Sequence, residues 1–508
     1  MAKPDPTLTE RTLSGGAWMT GLQLARQLLQ LLSVSILAHR VPPAAYGVVA
    51  TAVVITNFLD TLRDLGTSEA LIREREMSAE IESTAFWLNT AIGATLALVI
   101  LSISGRAAVF FHEPQLVLVL QFLALGFFLN AVGSVPTALL IRAMAFRKLA
   151  LCQAAGAITG TAVAVVVAIE GGKLWSLICG GLTITLVTTA ALFLVSPFSI
   201  NATFRPAHAR RMLSFGLYLS GSHVFNYFSR NLDNLLVARF LGSVSLGYYQ
   251  MGYLLMTYPL QNMSSVINQV MYPSLSRVSD NREKIQLAYL RSSALIGLIC
   301  FPLMLGLAVT AGPFIHVFLG SQWTPVARLL LVFAPLGAAQ ALYGTVSVIY
   351  QSQGRTDLQF KWMLFSSVAY VLSFVVGLRW GIIGVACSYT LVWFLLMIPS
   401  FWIPFHLIEL SGQRFFRVLW PTLWRSLLMA TISASWLLIL KQLGIDNPAG
   451  ALASAVLIGA LAYLSLLFLR TPTVVSELID LLSETTNPYL RKLSTLLSWS
   501  LNRSIPVP

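Results

Sequence analysis

Apolar runs close to 20 residues long recur from one end of the chain to the other, and short polar stretches connect them. A helix needs about 20 apolar residues to cross a bilayer, so each run predicts a membrane span. The predicted helices, numbered 1 to 14 along the chain, cover residues 13–37, 45–65, 84–104, 115–140, 149–169, 174–196, 213–238, 245–270, 288–310, 326–350, 360–378, 382–404, 416–440 and 449–469. The pattern predicts an all-α membrane protein of about fourteen transmembrane helices, or twelve if two weak segments lie at the membrane surface.

The composition excludes a water-soluble surface for a chain of this size. Of the 508 residues, 56% are hydrophobic and only 10% are charged, whereas soluble domains carry about 25% charged residues. The four cysteines are spread through apolar runs, and the chain contains neither a G-x-x-x-x-G-K-[ST] phosphate loop nor an H-E-x-x-H zinc motif. We therefore expect no metal, no cofactor and no ATP hydrolysis by the chain itself.

Lysine and arginine are distributed unequally between the two ends of the predicted helices. About 22 of them fall on the side of the N-terminus, the loops after even-numbered helices and the C-terminal tail. Seven fall on the opposite side: Arg40, Arg106, Lys173, Arg239, Arg328, Arg379 and Lys441. Because cytoplasmic loops carry the excess of positive charge, this bias predicts a multi-pass bacterial inner-membrane protein with both termini in the cytoplasm. The same bias explains the net charge of +13, to which a cationic path for an anionic substrate would add.

The chain contains an internal repeat with an offset of 200 residues. Residues 11–47 align without gaps to residues 211–247, with the identical pairs Arg11/Arg211, Leu13/Leu213, Ser14/Ser214, Gly16/Gly216, Gly21/Gly221, Leu32/Leu232, Ala38/Ala238 and Gly47/Gly247. The offset spans six helices, so both halves have the same orientation and are related by a pseudo-twofold axis along the membrane normal.

This repeat predicts the domain organisation. We expect two six-helix lobes, an extra pair of helices 13 and 14, and a tail, at residues 1–200, 201–405, 406–470 and 471–508. The leucine spacing of the cytoplasmic tail is compatible with an interfacial amphipathic helix or with loosely ordered chain.

Polar side chains form one stripe on the first helix of each half. The stripes consist of Gln23, Arg26, Gln27 and Gln30 on predicted helix 1, and of Asn226, Arg230, Asp233 and Asn234 on predicted helix 7. Steps of three and four residues place each set on one helix face. Since polar and ionisable groups inside a membrane face a partner or a wet cavity, the two stripes predict a shared central cavity. The guanidinium of Arg26, which has no carboxylate near it in sequence, suits a phosphate group, whereas Arg230 and Asp233 are also spaced to pair with each other.

Further polar candidates lie on predicted helices 2, 8 and 10. They are Asp60, Asp64, Tyr258, Gln261, Asn262 and Tyr343. Aromatic and amide side chains suit the faces and hydroxyl groups of sugars, which makes the last four candidates for sugar contact. The two aspartates lie near the cytoplasmic end of predicted helix 2, where a solvated face is the alternative to a coupling-ion site.

Six phrases of the sequence occur in the order found in one transporter family. They are LARQLLQLLSVSILAHRVPPAAYGVVATAVVITNFLDTLRDLGTSEALIRE from Leu24, SRNLDNLLVARFLGSVSLGYYQMGYLLMTYP from Ser229, YPSLSRVSDNREKI from Tyr272, WTPVARLLLVFAPLGAAQAL from Trp323, QGRTDLQFKW from Gln353 and GIIGVACSYTLVWFLL from Gly381. Over roughly residues 11–405 the chain resembles the Wzx-type polysaccharide exporters, or flippases, of the MOP (multidrug/oligosaccharidyl-lipid/polysaccharide) superfamily. Within them it resembles the colanic-acid and succinoglycan exporter branch.

The resemblance implies a two-lobed, MATE-like helical bundle with alternating access. It implies that the cargo is an undecaprenyl-diphosphate-linked oligosaccharide, moved across the bacterial inner membrane for exopolysaccharide or lipopolysaccharide synthesis. In this family, cationic side chains in the cavity contact the diphosphate. By the resemblance, Arg26 and Arg230 lie in the regions of the chain where such side chains occur. The expected partners are this cargo, membrane lipids, a coupling H⁺ or Na⁺ and a polysaccharide polymerase or co-polymerase, but no nucleic acid.

Two other functions compete with a flippase. A MATE-like drug/cation antiporter of the same superfamily needs an acidic cavity, and the two polar stripes carry two arginines and one aspartate. A membrane glycosyltransferase or polymerase would be expected to keep catalytic groups in sizeable outward loops, and the predicted outward loops are short. We therefore expect a transporter and not an enzyme.

Overall fold

A computed structural model describes residues 30, 32–63, 67, 71–72, 78–198, 200–210, 212, 227, 231–258 and 282–469. The helices are α1 (32–40), α2 (Pro43–Arg63), α3 (Ala79–Phe111), α4 (Leu116–Arg142), α5 (Phe146–Ile169), α6 (Lys173–Val195), α7 (231–258), α8 (Arg282–Val309), α9 (Ala311–Phe318), α10 (Thr324–Tyr343), α11 (Val346–Ser352), α12 (Thr356–Gly377), α13 (Gly381–Leu407), α14 (Gly412–Gln442) and α15 (Pro448–Leu469). Short 3₁₀ turns at Ser321–Trp323 and Leu378–Trp380 precede α10 and α13.

The described part of the chain confirms the all-α membrane class. No β-strand occurs in these ranges, and ten helical segments within them are long and apolar enough to cross a membrane. One of the ten, Thr356–Leu407, comprises both α12 and α13. The count of fourteen spans stays a prediction, because the first, seventh and eighth predicted helices extend beyond the described residues.

The helix predicted for residues 326–350 is interrupted. α10 ends at Tyr343 and α11 begins at Val346. Gly344 is a poor helix former, and the Thr345 hydroxyl donates to the Leu342 carbonyl at 2.8 Å. The same type of bond occurs inside unbroken helices, as from Ser104 to the Leu101 carbonyl in α3, so Gly344 is the residue that disfavours a continuous helix here.

The chain divides into two compact units, Met1–Gln250 and Met251–Pro508. In the first unit, α5 and α6 pack through small residues, and Gly156, Gly160 and Ala164 recur every four residues on one face of α5. A Cβ on Gly160 would lie only 2.6 Å from the carbonyl oxygen of Gly180 on α6. The two backbones are therefore in direct contact, as at small-xxx-small crossings in membranes.

The connection that follows α6 is fastened to the first turns of α3. The Ser83 hydroxyl lies 2.6 Å from the Asn201 carbonyl and 2.7 Å from the Thr203 carbonyl. Arg205 and Glu80 form an ion pair at 2.6 Å. These contacts hold the segment that follows α6 against the N-terminal turns of α3.

In the second unit, α14 and α15, which are the predicted extra helices 13 and 14, pack onto α8. The Tyr463 hydroxyl of α15 donates to the Leu298 carbonyl of α8 at 2.8 Å. Near the start of α8, Arg282 forms an ion pair with Glu409. The extra helix pair therefore shares the core of this unit through α8.

The chain folds back inside α7. Gly242 has a φ of 82°, in the left-handed region that favours glycine. The Tyr249 hydroxyl lies 3.0 Å from a carboxylate oxygen of Asp233, although sixteen residues of straight helix would separate the two by about 24 Å. The segments before and after Gly242 are thus two helices side by side, which matches the boundary expected between predicted helices 7 and 8.

Candidate functional site

Asp233 is a buried carboxylate whose two oxygens each accept a hydrogen bond. Oδ1 accepts from the backbone N–H of Asn234 at 2.8 Å, and Oδ2 accepts from the Tyr249 hydroxyl at 3.0 Å. Asp233 and Asn234 are buried in the first unit. A carboxylate away from water is stabilised only by such donors or by a bound cation. The two donors therefore hold the Asp233 carboxylate in a fixed orientation. A proton or a metal cation could take the place of one of these donors.

Tyr227, within predicted helix 7, contacts α2. Its hydroxyl donates to the Val54 carbonyl at 2.5 Å, and its ring centroid lies 6.0 Å from that of Phe58. The Val54 carbonyl has two lone pairs, so it can accept this bond in addition to its helical one. The first helix of the second repeat thus lies against the second helix of the first repeat at this level.

The polar face of α2 carries an ion pair. Arg63 Nη1 lies 3.1 Å from Asp60 Oδ1, with the side chains 14% and 46% exposed. The Arg63 guanidinium also lies 5.6 Å from the centroid of the Phe127 ring. The charge of Asp60 is therefore offset by its own helix, and its partial exposure agrees with the alternative of a solvated face.

In the second unit, Tyr343 belongs to an aromatic cluster. Its ring is edge-on to Trp393 at 6.3 Å and to Phe401 at 6.0 Å. One turn earlier on α10, Gln340 Nε2 donates to the Tyr389 hydroxyl of α13 at 3.0 Å. We call Gln340, Tyr343, Tyr389 and Trp393 the aromatic–amide cluster. It combines flat apolar faces with hydrogen-bonding groups on two neighbouring helices.

The other predicted site residues divide between described and undescribed parts of the chain. Outside the described residues lie Gln23, Arg26, Gln27, Asp64, Asn226, Arg230, Gln261 and Asn262. Gln30 is exposed at the start of the described chain, and Tyr258 is half-buried at the end of α7. The expected juxtaposition of the two stripes therefore stays a prediction, as does the alternative ion pair between Arg230 and Asp233.

Sequence reasoning misses Tyr227, Tyr249, Gln340 and Tyr389. Asp233 and Tyr249 lie eight residues to either side of residue 241, which is inside the boundary predicted between helices 7 and 8, so their pairing would follow from treating these two helices as a hairpin. Gln340 lies one turn before Tyr343 and would follow from extending the same helical face. Within the described ranges, no group of three or more His, Cys, Asp or Glu side chains is arranged to hold a metal ion.

Comparison with protein-family models identifies the family of this chain. A family model described as "Polysaccharide biosynthesis protein" matches residues 36–328. The matched region runs from α1 into α10. It therefore includes Asp233, Tyr249 and the α2 ion pair.

Curated relatives match nearly the whole chain. The lipopolysaccharide biosynthesis protein WzxC of Escherichia coli (strain K12) is 25% identical over 443 residues, 86% of this chain and 89% of the relative. The succinoglycan biosynthesis transport protein ExoT of Rhizobium meliloti (strain 1021) is 24% identical over 94% of this chain and 97% of the relative. The similarity therefore extends through the extra helix pair.

Solved structures share the fold. The lipid II flippase MurJ in an inward closed conformation has a TM-score of 0.70 at 16% identity, covering 88% of this chain and 97% of that one. An inward-facing multidrug resistance MATE family transporter of the MOP superfamily has a TM-score of 0.58 at 16% identity, covering 75% and 94%. At these identities the likeness concerns architecture alone, and it is the architecture of MOP transporters.

Proposed function

Since the chain belongs to the polysaccharide biosynthesis protein family, we propose that it flips an undecaprenyl-diphosphate-linked oligosaccharide from the cytoplasmic to the periplasmic leaflet of a bacterial inner membrane. The observation that carries this proposal is the similarity, over almost the full length of both chains, to relatives named for lipopolysaccharide biosynthesis and succinoglycan transport. The fold is one on which a lipid II flippase is also built.

The energetic barrier to this transport lies in the polar head group of the lipid. A diphosphate and several sugars lose their hydration when they cross hydrocarbon, at a cost of tens of kcal/mol for an isolated ion by continuum estimates. In our proposal the head group passes between the lobes formed by residues 1–200 and 201–405, and the polyprenyl tail stays in lipid. Arg26 and Arg230 on the two polar stripes offset the diphosphate charge through paired N–H donors.

The sugars need hydrogen bonds and flat apolar faces. The half-buried members of the aromatic–amide cluster offer both, since Gln340 and Tyr389 are hydrogen-bonded at 3.0 Å and the Tyr343 ring packs edge-on against the buried Trp393. Tyr258, Gln261 and Asn262 on predicted helix 8 would add contacts of the same kind. In this proposal the second lobe contributes most of the sugar contacts.

Net movement needs a driving force, and Asp233 is the best placed group to couple it. A proton or Na⁺ arriving at its carboxylate would compete with the Tyr249 hydroxyl, whose hydrogen bond ties the two arms of α7 together. Asp60 already pairs with Arg63 on its own helix. Ion binding at Asp233 would therefore change the contact between two helices, which is what coupling requires.

A test of the diphosphate role compares arginine variants in a strain that depends on this protein for polysaccharide export. R26A and R230A are expected to lower export by about tenfold or more each, the effect of losing one charge-assisted contact. R106A is the matched control, because Arg106 is an exposed arginine on α3. Wild-type export by both R26A and R230A, at normal protein amounts, would contradict the assignment.

The drug/cation antiporter is tested in the same strain. It predicts that loss of the protein raises sensitivity to cationic drugs and leaves polysaccharide export unchanged. The flippase proposal predicts that loss of the protein abolishes polysaccharide export and leaves drug sensitivity unchanged. One pair of assays therefore separates the two functions.

A further inference from the structure

The two halves of the repeat meet at a pair of glycines. A Cβ built on Gly47 of α2 would overlap the carbonyl oxygen of Ser243, and one built on Gly247 would overlap the carbonyl oxygen of Pro43. The Cβ on Gly247 would also lie 3.3 Å from the backbone nitrogen of Gly47. The backbones of α2 and of the second arm of α7 are therefore in direct contact, which small residues at a helix crossing allow.

This contact is reciprocal under the 200-residue repeat. Gly47 corresponds to Gly247 and Pro43 corresponds to Ser243, so each helix presents its glycine to the equivalent carbonyl of the other. A contact in which residue i touches residue j and j touches i is what a two-fold axis produces. The symmetry expected from the sequence thus has a local counterpart between these two helices.

A second contact lies near the turn of α7 at Gly242. Arg239 Nη1 and His112 Nδ1 are 3.0 Å apart, and the Arg239 guanidinium lies 5.1 Å from the Phe110 ring centroid. His112 terminates α3 in the first half of the repeat, whereas Arg239 belongs to the second half. Arg239 is one of the seven cations on the side that the charge distribution predicts to be outward.

We propose that Gly47 and Gly247 are paired positioning residues of the transport cycle, which close the outward end of the path between α2 and the second arm of α7. The inference rests on the proposed flippase function. Alternating access needs a contact close enough to exclude a sugar and free of interlocking side chains, so that it separates without unpacking a core. Two glycine surfaces meet both conditions, and an added methyl group at either position would hold the helices apart.

The proximity of His112 and Arg239 provides a reporter of closure. With the four native cysteines replaced by alanine, H112C and R239C are introduced together and treated with a short, reducible, membrane-impermeant bifunctional thiol reagent. G47A and G247A are then added separately to this double-cysteine parent. G105A and G181A are the matched controls, because a Cβ at either position meets nothing within 4 Å.

The inference predicts that cross-linking falls about tenfold in G47A and in G247A, the shift expected when one tight methyl group destabilises the closed conformer. Cross-linking in G105A and G181A is expected to equal that of the parent. The cross-linked parent is expected to stop exporting polysaccharide and to resume when the reagent is reduced. This last measurement needs no glycine substitution, so full export by the cross-linked parent would still refute the inference even if G47A or G247A fails to fold.

Two results would overturn the inference: equal cross-linking in the glycine variants and their controls, or full export by the cross-linked parent. Failure of the proposed function shows itself differently. A strain without the protein that exports normally would contradict the flippase assignment, whereas the cross-linking comparison would still report whether the two glycines set the closure.

Discussion

At the residue scale, Asp233 shows what the sequence can and cannot predict. Helical spacing in a membrane span identifies it as a member of a polar stripe. Its partner Tyr249 is not predicted, because the two become neighbours only when the chain reverses at Gly242. The boundary between predicted helices 7 and 8 does place a reversal near Gly242, but hydrophobic periodicity does not give the register in which two helices pack, so the donors of a buried acid are harder to predict than the acid itself.

The hydrogen bond to Asp233 makes a prediction about Tyr249. Y249F is expected to lower the free energy of unfolding by about 1–3 kcal/mol, because it leaves a buried carboxylate oxygen without its donor. Y350F is the control, since the Tyr350 hydroxyl is buried without a hydrogen-bond partner among the described residues. Thermal unfolding of the purified proteins in detergent measures both. Equal unfolding temperatures for the two variants would show that the Tyr249 bond does not stabilise the fold.

At the element scale, hydrophobic run length predicts where the described helices lie, but it does not predict where a helix is interrupted. α2 to α6 match the predicted spans, whereas 326–350 is divided by Gly344 and Thr345. Length and hydropathy measure how a segment suits the bilayer, but they do not register a single glycine inside an apolar run. The small-residue stripes are likewise visible in the sequence, but their partner helices are not.

The crossing of α5 and α6 predicts opposite effects at two consecutive glycines. G180A is expected to destabilise the protein by about 1–3 kcal/mol, because its Cβ would lie 2.6 Å from Cβ of Ala164 and force the helices apart. G181A is expected to be neutral or stabilising, since its Cβ meets open space and alanine favours a helix. Thermal unfolding compares the pair, and a larger loss for G181A would contradict the packing described.

At the scale of the whole molecule, the resemblance to polysaccharide exporters is confirmed by the family match, and the MATE-like fold by the similarity to solved transporter structures. Six sequence phrases in a fixed order over four-fifths of the chain are enough to identify the family and its fold. The predicted diphosphate contacts are different. Arg26 and Arg230 are predicted from the spacing of single charges, and both lie outside the described residues.

Membrane orientation is a further prediction for the whole molecule. A reporter fused after Leu410, between α13 and α14, is expected to lie in the cytoplasm, so green fluorescent protein there should fluoresce. A fusion after Asp446, between α14 and α15, is expected to lie outside, so alkaline phosphatase there should be active. The reversed pattern would show that the excess of lysine and arginine faces the periplasm, and it would move the Gly47–Gly247 contact to the cytoplasmic end.

The central claim is that this chain moves a lipid-linked oligosaccharide through the membrane by itself. The most direct measurement places the purified protein in liposomes that carry undecaprenyl-diphosphate-linked oligosaccharide in the inner leaflet, with a glycosidase added outside. We predict that the wild-type protein exposes the cargo to the enzyme much faster than empty liposomes do, and that the R26A/R230A double variant does not. Cargo exposure at the empty-liposome rate by the folded wild-type protein, under every applied H⁺ or Na⁺ gradient, would contradict the account.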